Sequence, residues 1–315
     1  MSDGDIPSPV RGATAVEVAA QAKINLRLRV LARESNGYHQ LETLFLRIDL
    51  ADTVRIRRTP HACSLDVAGD VDAALLGPVA KNLAWRAAEA YFAASGMRGG
   101  FAIELTKRIP IGGGLGGGSA DAGAVLRALA AMDDEPMHLD VLLSLAAGIG
   151  ADVPFLATEH AYALAWGRGE RMLALPPPPP RDALLVVPAF GVSTAEAFGW
   201  LDANGSAREP RRIVEGRVLQ PTHLSDWTAL GALHVNDFEV VVEAHHPEIR
   251  DHLDFLRAQG CPLVMMSGSG STVFGIWAAS SQSASREHAL SESDAGAKII
   301  RTRTATRVEQ VSAIE

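Results

Sequence analysis

Residues 110–119 read Pro-Ile-Gly-Gly-Gly-Leu-Gly-Gly-Gly-Ser, with glycine at six of the seven positions from 112 to 118. Glycine lets backbone amides approach an anion with no Cβ in the way. Good helix formers follow over 119–132. Ser119 is therefore expected near a helix N-terminus, where unpaired N–H groups and a positive dipole end favour phosphate. A plain linker would need neither apolar Ile111 and Leu115 nor a helix directly behind it. Three familiar phosphate loops can be separated from this one. A Walker loop needs Gly-Lys-Ser or Gly-Lys-Thr, and neither occurs. A protein kinase needs H-R-D and D-F-G downstream, and both are absent. Gly112, Gly114 and Gly117 formally satisfy G-x-G-x-x-G, but so dense a run matches almost automatically. The strand ending in an acid that a dinucleotide fold wants is missing, since Asp133 and Asp134 lie in a polar turn before another helical stretch.

Other candidates are weaker alone. Lys23 and Asn25 share one side of an alternating segment, 24–30, whose other side is Ile24, Leu26, Leu28 and Val30. That is a half-buried strand with a polar face, and Lys23 by itself could be an ordinary solvated lysine. Asp152, in Gly-Ala-Asp-Val-Pro-Phe, could be an ordinary loop carboxylate. Together, an ammonium can stabilise developing negative charge and a carboxylate can accept a proton from an alcohol. No H-E-x-x-H and no G-x-S-x-G occurs, which argues against a zinc hydrolase and a serine esterase.

These residues need a scaffold. The chain has 315 residues, 47% apolar and 21% charged, enough for a sizeable core and about two domains. A net charge of −8 makes a polyanion partner such as nucleic acid unexpected, while leaving room for a local basic pocket. Two cysteines give no disulfide framework and fit a reducing cytoplasm. No apolar run is long enough for a membrane span, and the acidic, proline-broken first dozen residues read as a loose tail rather than a secretory signal. Strands are expected at 41–50, 53–57, 101–105, 162–166, 183–187, 263–266 and 273–277. Helices are expected at 81–94, 119–132, 138–147 and 194–201, with a mainly helical 235–256 broken at Pro247. A turn is expected at Asn36-Gly37, irregular chain over 203–232, and a loop or weak helix in the serine-rich 280–297. The proline run 176–180 is a stiff spacer and the expected border between domains 1–178 and 179–315.

The pattern P-x-G-x-G-L-G-x-x-S, carried by Pro110, Gly112, Gly113, Gly114, Leu115, Gly116, Gly117, Gly118 and Ser119, resembles the ATP-binding signature of the GHMP kinases. Ala22-Lys23-Ile24-Asn25 resembles their first motif. Met266-Ser267-Gly268-Ser269-Gly270-Ser271-Thr272-Val273-Phe274 resembles their third, a glycine loop that packs beside the phosphate loop. Asn36-Gly37-Tyr38-His39, Gly150-Ala151-Asp152-Val153-Pro154-Phe155, Gly167-Arg168-Gly169-Glu170 and Gly191-Val192-Ser193-Thr194 narrow the resemblance to the branch acting on 4-diphosphocytidyl-2-C-methyl-D-erythritol. Gln21 and Ala120 depart from the common pattern.

The resemblance implies an α+β fold of two lobes with the active site in the cleft between them. It implies ATP-dependent phosphorylation of the 2-hydroxyl of that acceptor, in non-mevalonate isoprenoid synthesis, with Mg²⁺ arriving on ATP rather than in a protein cage. Lys23 and Asp152 would be catalytic. The loop residues, with Asn82 and Lys107 bordering the adenine, would bind the nucleotide. Asn25, Tyr38, His39, Thr194 and Phe198 would bind the acceptor, Tyr38 and Phe198 as the two sides of a cytosine stack.

Overall fold

The computed structural model describes residues 8–10, 12–35, 37–69, 77–204, 220–278 and 297–314. Alternation sets the first sheet. β1 (Ala15–Arg33) buries Val16, Val18, Ala20, Ala22, Ile24, Leu26 and Leu28 on successive inward positions. It pairs antiparallel along its length with β2 (His39–Thr59). The two expected strands in 41–57 are thus one long strand. Its first half pairs with β5 (Tyr162–Gly167) and its second half with β4 (Gly100–Lys107). β3 (Ser64–Gly69) lies parallel to β4, β6 (Arg171–Ala174) extends β5, and β11 (Ser312–Ala313) adds to β1.

Against this sheet pack α1 (Leu83–Ser95), α2 (Gly117–Met132), α3 (Leu139–Ile149) and α4 (Val153–Leu156). The Asn82 side chain caps α1 by accepting from Ala84 N at 2.9 Å, and Gly96 ends it with φ of +71°. α2 is buried from Ala120 to Met132 and rich in alanine, so neighbours come close. At Gly123 a Cβ would lie 2.4 Å from the backbone of Leu156, which makes glycine the residue that admits α4.

The second sheet has the order β10 (Ala297–Arg303), β7 (Asp182–Pro188), β9 (Val273–Ile276), β8 (Leu263–Met266), all antiparallel. Its faces divide by residue parity. Ala183 and Leu185 join the core of the first sheet, while Leu184 and Val186 pack under α5 (Thr194–Ala203), α8 (Glu239–His245) and α9 (Glu248–Ala258). One core therefore runs through both lobes. Among the described residues no helix is long and apolar enough to cross a membrane.

Several expectations change. The polar face of β1 is not solvated: Lys23 is 3% and Asn25 2% exposed, because loops cover it. Part of the irregular 203–232 is helical, as α6 (Pro221–Leu224) and α7 (Trp227–Leu233), seated on the first lobe's core through Leu224, Trp227 and Leu230. Trp227 Nε1 donates to Pro179 O at 2.7 Å, so the proline run is held on this helix. Residues beyond β10 also return: Ala305 N donates to Arg47 O and Ile314 N to Ala15 O. β3, β6, β10 and β11 have no counterpart in the sequence reading. The N-terminal tail, Asn36 and the serine-rich 280s fall mostly or wholly outside the described residues.

Candidate active site

All the expected residues except Tyr38 and His39 line one cleft of about 630 Å³. The glycine loop joins β4 to α2, and Gly112, Gly114 and Gly116 take φ of +75°, +74° and +73°. Side chains rarely adopt that backbone. The loop is also squeezed. A Cβ at Gly114 would lie 2.1 Å from Ser267 O, and one at Gly113 would lie 2.6 Å from Thr272 Oγ1. The turn over 267–272 therefore presses directly on it, with Thr272 N donating to Gly113 O and Ser267 Oγ to Gly114 O. Asn236 Nδ2 fixes that turn by donating to Met266 O and Gly268 O, both at 2.8 Å. Ser119 lies in the first turn of α2 and lines the cleft.

Lys23 stands beneath the loop. Its Nζ lies 3.2 Å from Asp152 Oδ2 and donates to Asn25 Oδ1 at 2.8 Å and Gly114 O at 3.0 Å. Asn25 in turn donates to Thr43 Oγ1 at 2.7 Å. Lys23, Asn25, Thr43 and Asp152 all line the cleft, but only Asp152 among them is appreciably exposed, at 30% of its side chain. It stands just before α4, whose far end is gripped by a residue the sequence reading passed over. Arg47 is fully buried on β2 and donates to the carbonyls of Phe155, Leu156, Thr158 and His160. Burial pushes its pKa down to about 9. The signal was a guanidinium inside the apolar run Phe45-Leu46-Arg47-Ile48, where only carbonyls could satisfy it.

On the nucleotide side Lys107 is not a strand-end lysine in water. Its Nζ bridges Asp52 and Asp121, and all three side chains are at most 4% exposed. Asp52 also accepts from Arg108 N and Ile109 N. Burial raises the pKa of Asp121 to about 8, opposed by Lys107 and reinforced by Asp52. Burial works against the Lys107 ammonium, yet the two carboxylates outweigh it and raise its pKa. Neither aspartate stood out in the sequence, because nothing local marks a pairing made across 55 and 14 residues. Asn82 lines the same end of the cleft.

On the other side the expected aromatic sandwich is differently arranged. His39 opens β2, so Tyr38 and His39 diverge. The His39 ring stacks on Phe198 at 4.4 Å and 16°, and its Nε2 meets Asp202 at 2.9 Å. Phe198 lines the cleft together with Thr194, whose Oγ1 lies 3.1 Å from Ser269 Oγ. Tyr38 is 59% exposed and carries the Arg168 guanidinium 4.0 Å above its ring.

Comparison with known proteins agrees with this architecture. Residues 82–160 match the GHMP kinases N terminal domain and 222–294 the GHMP kinases C terminal family. The 4-diphosphocytidyl-2-C-methyl-D-erythritol kinase of Desulfotalea psychrophila is 40% identical over 84% of this chain and 86% of its own. That of Pelotomaculum thermopropionicum is 39% identical over 84% and 89%. A crystal structure of 4-(cytidine 5'-diphospho)-2C-methyl-D-erythritol kinase, 33% identical, superposes with a TM-score of 0.72 over 92% of this chain and 99% of that one. With two lobes, a glycine loop clamped between them and relatives of this closeness along most of its length, the chain belongs to the 4-diphosphocytidyl-2-C-methyl-D-erythritol kinases of the GHMP kinase family.

Proposed function

We propose that this kinase moves the γ-phosphoryl group of ATP to the 2-hydroxyl of 4-diphosphocytidyl-2-C-methyl-D-erythritol. The acceptor oxygen bonds to phosphorus, the β–γ bridge breaks, ADP leaves and the hydroxyl proton passes to Asp152. One observation carries the reading: an open carboxylate 3.2 Å from a buried ammonium, directly under the glycine loop. A Cβ on Gly116 would lie 3.0 Å from Lys23 Cε and 3.6 Å from Asp152 Oδ2, so loop and pair are contiguous. An alcohol is a weak acid, and phosphoryl transfer asks mainly for positioning and charge neutralisation. Lys23 neutralises charge at the transferred group, and Asn25, held by Thr43, keeps that ammonium aimed. Amides of residues 112–118 cradle the phosphates, with Asn82 and Lys107 bordering the adenine. Thr194 and Phe198 line the acceptor side, with His39 stacked on Phe198 and Tyr38 stacked under Arg168.

Among the described residues no three His, Cys, Asp or Glu side chains cluster as a metal cage. The donors that face the phosphate region are hard oxygens, Ser119 Oγ and the Asp152 carboxylate, which suit Mg²⁺ delivered on ATP. Such an ion would supply charge neutralisation as the phosphoryl group is transferred. Lobe 1–178 supplies the glycine loop, the Lys23–Asp152 pair and His39, lobe 179–315 supplies Thr194 and Phe198, and free Cys63 and Cys261 fit a cytoplasmic setting.

A coupled ADP-release assay with ATP and Mg²⁺ tests this over a panel of alcohols. Turnover should be greatest with the cytidine diphosphate acceptor, and free methylerythritol phosphate should be very poor. Equal use of the truncated alcohol, or preference for mevalonate or homoserine, would overturn the substrate assignment.

A further inference from the structure

The substrate assigned above joins its reacting alcohol to its base through a diphosphate, so something in the cleft must meet that charge. Among the described residues, three cationic side chains line the cleft: Lys23, Lys107 and Arg168. Lys23 is engaged by Asp152, Asn25 and Gly114 O, and Lys107 is enclosed by two carboxylates. Arg168 is different. It sits at the tip of the turn from β5 to β6, between Gly167 with φ of +76° and Gly169 with φ of +109°. A Cβ on Gly169 would come within 2.7 Å of Ala151 O, so the turn is packed against the residue preceding Asp152. From that root the side chain reaches outward to lie 4.0 Å over the Tyr38 ring, with Nη2 donating to Glu34 Oε2 at 2.6 Å. The residue thus runs from beside Asp152 in the cleft to the exposed Tyr38 ring. A chain linking a reacting hydroxyl to a base must cross that same interval. The acids facing the turn are Glu34 and Glu170, the latter accepting from Arg168 N at 2.7 Å. Guanidinium offers five donors in a planar fork, of which Glu34 uses one, and this fork matches paired phosphate oxygens.

We propose that Arg168 binds the diphosphate of the acceptor and sets the preference for a nucleoside-diphosphate-linked alcohol over a simple phosphomonoester. The stack on Tyr38 and the tie to Glu34 limit how far the guanidinium wanders, so less freedom is lost when the diphosphate arrives. The inference rests on the substrate reading above.

The test compares wild type, Arg168→Lys and Arg168→Ala in steady-state kinetics with the cytidine diphosphate acceptor and ATP. Arg168 is 43% exposed at its side chain, so the variants should fold, and a thermal melt checks this. Arg168→Ala should raise the acceptor KM roughly tenfold to a hundredfold while the KM for ATP stays the same. Arg168→Lys, which keeps the charge and loses the fork, should fall between. A general structural defect would move both KM values, and a role at the nucleotide would move that of ATP. Either pattern, or an unchanged acceptor KM in Arg168→Ala, overturns the assignment. If wild type fails to use the cytidine diphosphate acceptor, the substrate reading itself has failed.

Discussion

Two lysine–aspartate groups face the same cleft and do opposite things. At Lys107 the ammonium is shut between Asp52 and Asp121, and no member is more than 4% exposed. At Lys23 the ammonium is equally buried but its partner Asp152 is 30% exposed. The first group ties three elements, β2, β4 and α2, at the point where the glycine loop begins. The second ties β1 to the segment before α4 and leaves one carboxylate oxygen accessible. Residue type does not separate a strut from a reacting pair. What separates them is whether one member keeps an open side on which a hydroxyl can dock.

The largest effect that could break this contrast is on stability. Lys107→Met would leave the buried Asp52 and Asp121 side chains without the cation they share, and breaking such a group costs about 3–5 kcal/mol. Chemical denaturation should show that loss. A variant as stable as wild type would mean the Lys107 cluster is not a strut. Next comes Asp152→Asn, which removes the proton acceptor and keeps the shape. Here kcat should fall by ~10²-fold or more with melting temperature and ATP affinity near wild type. Retained turnover would reduce the Lys23 pair to another structural contact.

The family resemblance marked Lys23 and Asp152, while the partners of Lys107 stayed unread, for a physical reason. The Gly112–Gly118 loop, Lys23 on an alternating strand and the Asp152 segment are local patterns. Each strand from β1 to β9, apart from β3 and β6, also announced itself by alternation or by an apolar run. The Lys107 cluster instead depends on Asp52 and Asp121 arriving from other elements, and Arg47 on four carbonyls more than a hundred residues away. No local spacing encodes such meetings. β3 and β6 are short and mostly exposed, so they carry no burial pattern to read. Tyr38 was expected opposite Phe198 in the stack, but β2 starts at His39, and it is the His39 ring that lies on Phe198.

A smaller effect sharpens the acceptor side. Phe198→Ala removes the ring on which His39 rests, and loss of one base-stacking surface is worth ~1–3 kcal/mol. The acceptor KM should rise roughly tenfold to a hundredfold with that for ATP unchanged. An ATP KM that rose equally would show the aromatic pair to be a general prop for the cleft.

The smallest effect is a pH dependence. Burial holds the proton of Asp121 up to about pH 8 in the folded chain, against 3.8 for the free side chain. Between those values the folded state binds the extra proton, so this group's stabilisation is full in acid and fades as pH rises through about 8. Asp121→Asn cannot titrate. Its melting temperature should therefore fall less than that of wild type between about pH 7 and about pH 9. Parallel curves would place the proton elsewhere in the cluster.

Lys23 and Arg47 are directly opposed in the register of β1 and β2. One grips the residue before α4 and the other grips the carbonyls of its last two residues and of Thr158 and His160 beyond it. Asp152, the proposed proton acceptor, therefore caps a short buried helix that is anchored at both ends to the central strand pair. Local opening of that helix would have to strip a buried guanidinium of its partners. Amide hydrogens of residues 156–158 should accordingly exchange with solvent on the slow timescale of the sheet, not the fast one of a loop.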